Sequence, residues 1–242
     1  MNKFLLLICI SLLISCQTKK EQNSSSTENK SNAKPETRWV KDNVITSNDL
    51  PKIEIKVDKE FDFVDKFDFE IIANSNEYPP EMQGKAIASG ERYVFISTDK
   101  KHHVNKLFIV QFEGFFPDND LIYNYNFDNV GFIGDNKYRH NTWYYDTNEL
   151  VKENPSGEWA KTISFLNARG FHLEDYVMMS RYVGLASDDR KNEIIIFYHE
   201  MLEKTTGYSL DEWQSHQDSQ KKTLMDSLFT ERSRNCFDII KG

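Results

Sequence analysis

The side chains able to do chemistry in this chain are six histidines, three cysteines and 38 carboxylates. Few stand at a useful spacing. The stretch "HEMLE" (199–203) comes close to the HExxH pattern of zinc proteases, which needs two histidines on one helical face. Glu203 stands where the second histidine belongs, and the preceding "IIIFY" makes His199 the end of a strand. His102 and His103 are adjacent, and adjacent side chains of an extended chain point to opposite faces, so they do not chelate together. His140, His172 and His216 have no partner at ligand spacing. "DNDLIYNYNFDN" (118–129) lacks the glycine and the spacing of a calcium loop; its Asp and Asn suit turns. Paired carboxylates can hydrolyse glycosides, but no one pair stands out among so many acids. The sequence carries no GxSxG elbow, P-loop or dinucleotide fingerprint. No catalytic residue, metal or cofactor is assigned from it.

Two features retain interest. The segment 136–149, "NKYRHNTWYYDTNE", crowds Tyr138, His140, Trp143, Tyr144 and Tyr145 between turn residues. Aromatics beside amides and acids suit a sugar face or a protein hot spot. The second is Arg181 in "YVMMSRYVGLA", which shares parity with Val177, Met179, Val183 and Leu185. A charge on an apolar face is either paired with a carboxylate or lines a cleft. These six residues are the candidate binding set. A dispersed hydrolytic site would instead need Arg181, His199 and acidic groups to converge.

The elements that must position them read as an α+β fold. "IEIKVDKEFDFVDKFDFEII" alternates apolar and charged residues from Ile53 to Ile71, as strands with one wet face do, with a turn or bulge near 64–66. "RYVFIS" (92–97) and "KLFIVQFE" (106–113) are continuous apolar runs that predict central strands covered on both faces. "LIYNYNF" (121–127) and "VGFIG" (130–134) add shorter strands. Trp159, Ile163 and Leu166 then follow a helical period, opened by Pro155 or Ser156 and stopped at Gly170. "YVMMSRYVGLA" and "NEIIIFYHE" form a hairpin. Ser209 and Glu212 make a capping box for polar helices running to about Asn235. "CFDII" returns as a last strand, with Cys236 as a small buried residue rather than a nucleophile. The first half is therefore mostly antiparallel sheet, and the second is helix, hairpin and C-terminal helices. Residues 38–242 read as a single domain.

The first residues address location. Lys3 precedes an apolar run from Phe4 to Ile14, too short for a span of roughly 20 residues. This is the layout of a signal peptide over 1–15. "LISC" (13–16) resembles the bacterial lipobox, in which the cysteine is acylated and signal peptidase II cuts just before it. The resemblance covers these four residues only. It implies a lipid-anchored envelope protein with Cys16 as its first residue, held by more than one acyl chain. Gln17 follows the cysteine rather than aspartate, which favours the outer membrane. Residues 16–37 are polar and read as a tether.

Composition narrows the partners. Loss of Lys3 leaves 29 basic and 38 acidic residues, and no basic stripe, so nucleic acid is not an expected partner. With Cys9 removed and Cys16 lipidated, Cys236 has nothing to bridge, and the core alone must hold the fold. The 17 Phe, 11 Tyr and 4 Trp predict an aromatic core. The sum is an envelope lipoprotein that binds something, possible partners being the membrane through its lipid and an envelope or incoming protein. A carbohydrate-binding module or a hydrolase are the alternatives.

Overall fold

The computed structural model describes residues 36–242, apart from 77, 127–129 and 216–218. The signal peptide, Cys16, the tether as far as Pro35, and His216 lie outside the described residues. Among the described residues the chain forms two antiparallel sheets and five α-helices, an α+β fold dominated by sheet. The first sheet orders β1 (Arg38–Lys41), β2 (Val44–Ser47), β3 (Ile53–Val57) and β11 (Phe237–Lys241) side by side. The second has seven strands: β4 (Asp62–Ile72), β5 (Ala86–Thr98), β6 (Val104–Phe115), β10 (Asn192–Met201), β9 (Tyr176–Leu185), β8 (Asn136–Asp146) and β7 (Val130–Ile133), in that spatial order. The helices are α1 (Thr147–Glu153), α2 (Glu158–Asn167), α3 (Leu202–Thr206), α4 (Leu210–Ser215) and α5 (Gln220–Asn235). None of them is long and apolar enough to cross a membrane.

The large sheet is covered on both faces. On one face Phe95, Phe108, Val110, Ile196 and Tyr198 pack with Ile55, Val57 and Phe237 of the small sheet, Trp213 of α4 and Phe229 of α5. On the other, Val94, Leu107, Ile109 and Val177 pack with Leu166 of α2. A strand buried on both faces has no polar side to alternate with. That is why β5 and β6 appear as unbroken apolar runs. The two halves of the chain share this sheet, because β10 pairs with β6 through Ile196 opposite Val110.

Other expectations meet the structure unevenly. The break near 64–66 is a bulge inside one long β4, with the register slipping between Phe63 and Asp65. The stretch 121–126 forms no strand. It is held as a loop by Arg190, whose Nε donates to the Tyr123 carbonyl at 2.8 Å and whose Nη2 donates to the Tyr125 carbonyl at 3.2 Å. The segment 136–149 is strand β8 running straight into α1, where Asp146 caps the helix by accepting from Asn148 N at 2.8 Å. α2 opens on Gly157 rather than Pro155 or Ser156. The capping box forms as expected: Ser209 N donates to Glu212 at 2.9 Å and Glu212 N donates to Ser209 Oγ at 3.4 Å. Cys236 is buried but caps α5 instead of belonging to β11, and burial pushes its thiol pKa up, away from reactivity.

Candidate functional site

β8 and β9 are antiparallel, with Asn141 opposite Arg181 and Trp143 opposite Met179. β9 and β10 pair Arg181 with Phe197 and Met179 with His199. Facing residues of one parity share a side of a sheet. One side therefore gathers Trp143, Tyr145, Met179, Arg181, Phe197 and His199, and next to them Ile109 of β6 and Arg92 of β5. Leu150 of α1, and Glu158 and Trp159 of α2, close over them. Together they line a cavity of about 460 Å³, within the size range of small-molecule sites.

The polar groups of this cavity are poorly answered. His199 is 1 % exposed. It lies against Trp159 (ring centroids 5.1 Å apart), Phe197 (6.0 Å) and Tyr145 (6.5 Å). The Leu107 backbone and the Arg92 charge act on it in opposite directions, the first favouring the protonated form, and neither ring nitrogen has a partner at hydrogen-bonding geometry. Burial pushes its pKa down to about 3, so it is neutral at physiological pH. Trp159 Nε1 is also buried without a partner. So is Arg181 Nε, while the Arg181 guanidinium stacks on Trp143 at 5.0 Å. Burial and the neighbouring Arg139 lower the Arg181 pKa.

Arg92 is treated differently. It is 4 % exposed, and four of its five N–H donors are met. Nε donates to Gln111 Oε1 at 2.7 Å, and Nη2 donates to the same oxygen. Nη1 donates to Thr162 Oγ1 at 2.6 Å and to the Glu158 carbonyl at 3.0 Å. These acceptors are all uncharged. Burial pushes its pKa down to about 10, opposed by the nearby Glu158 and Glu113 charges.

The six sequence candidates divide by parity. Trp143, Tyr145 and Arg181 face the cavity. Tyr144 touches it, but its ring goes to the other side, edge-on to Trp213 at 6.4 Å. Tyr138 and His140 are not brought to the cavity. Tyr138 is 2 % exposed in the opposite core, lying over Gly184, where an added Cβ would stand 2.8 Å from its ring. His140 stacks on Tyr182 at 4.4 Å and its Nε2 meets Ser180 Oγ at 2.9 Å. The segment is a strand, and a strand sends alternate side chains to opposite faces.

The remaining chemical residues also find their places. Glu200 points away from His199 and pairs with Arg232 of α5 at 2.6 and 2.8 Å, which breaks any metalloprotease arrangement of "HE". His102 stacks on Phe171, while His103 faces His172 and Asp99, so the two histidines do turn apart. No cluster of three metal-ligating side chains occurs among the described residues. A larger groove of about 770 Å³ runs past Arg38, Glu91 and Lys161. Its arginine is already answered, since Arg38 pairs with Glu91 at 2.8 Å.

One pair was invisible in the sequence. Glu113 on β6 stands directly opposite Glu193 on β10, both at least nine-tenths buried. Tyr123 Oη donates to Glu113 at 3.0 Å, and Tyr125 acts on Glu193. Burial and the facing carboxylate hold the Glu193 carboxyl far above the usual carboxylate range, so it keeps its proton at neutral pH. Glu113 closes one apolar run and Glu193 opens another, which is the only local signal they gave.

No known family model, curated protein or solved structure matches this chain.

Proposed function

We propose that the protein is a lipid-anchored binding protein of the bacterial cell envelope that holds a small ligand in the cavity between α2 and β8–β10. The observation that carries this is the gathering of unpartnered polar atoms on residues lining one aromatic cavity: Trp159 Nε1, Arg181 Nε and both nitrogens of His199. An unmet buried donor costs about 1–3 kcal/mol, and a ligand that meets it recovers that cost. Binding is favoured over hydrolysis by the state of the titratable groups. His199 is neutral and saturated with apolar neighbours, and no serine, cysteine or lysine lines the cavity. The lipobox resemblance at 13–16 supports the anchor, with the outer membrane favoured, and the polar composition of residues 16–37 supports a tether. A protein partner from the envelope or from outside the cell remains the second occupant class, met through the exposed part of Trp143 (40 %).

Two measurements test the two halves. Cys16→Ser should abolish acyl labelling and move the protein from the membrane to the soluble fraction; continued membrane retention would sink the anchor. Full-length protein exposed to envelope extract should retain a small molecule detectable by mass spectrometry. Leu150→Trp, which fills the cavity from α1, should lose it. Equal small-molecule content in the two proteins would remove the case for the cleft.

A further inference from the structure

The charge of the cavity narrows what it takes, and this step rests on the binding reading above. Two arginines line it and one acid, Glu158, does. Arg92 is held by neutral oxygens and makes no ion pair. Arg181 makes none either among the described residues; its nearest influences of opposite sign, Glu193 and Glu113, act from beyond ion-pair range, and Arg139 adds like charge. Glu193 holds its proton, which weakens that compensation further. A guanidinium left largely desolvated and unpaired is costly. In a chain whose net charge is −8, this cavity is locally positive.

We propose that the ligand is a flat apolar monoanion: a carboxylate on an aromatic or similarly planar body, with the carboxylate on Arg181 and the body against Trp159 and Phe197. The number of free cationic donors selects a single charge. Arg92 has spent four of its five N–H donors on Gln111, Thr162 and Glu158, leaving a single Nη2–H, and no lysine lines the cavity. Among the described residues lining the cavity, Arg181 is the one guanidinium left with a whole edge to offer an anion. Its face is occupied by Trp143, so its edge is the part presented, and a guanidinium edge matches the planar fork of a carboxylate. A phosphate dianion would bring a second charge with no second donor set. The remaining walls, Ile109, Leu150, Met179 and the aromatic rings, suit an apolar body.

The test uses full-length protein in detergent, titrated by tryptophan fluorescence and calorimetry with three probes of one body: naphthalene carboxylate, its methyl ester, and naphthyl phosphate. The carboxylate should bind tighter than the ester by about tenfold or more, the worth of one charge-assisted hydrogen bond, and tighter than the phosphate. Arg181→Gln should bring the ratio of acid to ester affinity close to one. Arg181→Lys, which keeps the charge, should preserve part of the acid's advantage, so a folding defect in the glutamine variant does not decide the matter. Equal binding of acid and ester by the unaltered protein, or preference for the phosphate, overturns the inference and leaves the cleft reading standing. Failure of all three probes to bind overturns both.

Discussion

At His199, burial acts without a compensating partner, and its consequence is a pH dependence. The folded-state pKa of about 3 lies below the ordinary 6.5. Between those values the unfolded chain binds a proton that the folded one refuses, so stability falls as pH drops from 6.5 toward 3, by up to about 5 kcal/mol. His199→Leu should flatten this acid limb and cost little at neutral pH, since it removes two unmet polar atoms. Urea titrations of both proteins at pH 7 and pH 4.5 would show it; an unchanged difference between the two pH values would discount the histidine. Glu193 has the opposite sign. Its folded pKa is raised above 4.5, so the folded protein keeps a proton that the unfolded chain releases, and stability is lost as pH rises through neutrality. Glu193→Gln mimics the protonated form and should make stability nearly independent of pH from 6 to 9. If the variant declines with pH as the unaltered protein does, the pair with Glu113 is not the cause.

At the scale of elements, α2 is fastened to the sheet by one buried cation. Arg92 reaches from β5 to Thr162 and to the Glu158 carbonyl in the first turn of the helix. Thr162 is fully buried. Thr162→Val conserves shape and removes the acceptor, leaving a desolvated guanidinium short of one partner. The expected loss is about 1–3 kcal/mol in chemical denaturation, and Thr162→Ser should restore most of it. Unchanged stability in the valine variant would mean that Arg92 finds another acceptor. The sequence disclosed these elements better than their meeting. β5, β6, the β9–β10 hairpin, α2 and the capping box at Ser209 were legible, because apolar period and cap chemistry are local. β8 was legible only as an aromatic cluster: most of its side chains are partly exposed on either face, so neither parity is purely apolar or polar. The cavity itself draws on β5, β6, β8, β9, β10, α1 and α2. Arg92 and His199 gave no local sign of converging, since register between distant strands sets that convergence. Arg181 was legible because a charge interrupted an apolar parity; it lines a cleft and makes no ion pair among the described residues.

At the scale of the molecule, the strand order has a consequence in time. β6 presents Val104–Phe115, a mostly apolar edge, and its partner β10 lies some eighty residues further along the chain. β3 waits longer still, for β11 at the very end. Pairings of such separation form slowly, because the intervening chain must be gathered first. Until synthesis reaches Met201, both sheets have an open side, and an open apolar edge invites the wrong neighbour. The N-terminal half therefore has no completed structure to settle into while the rest is being made. The order of the strands defers closure of both sheets until the C-terminal strands exist.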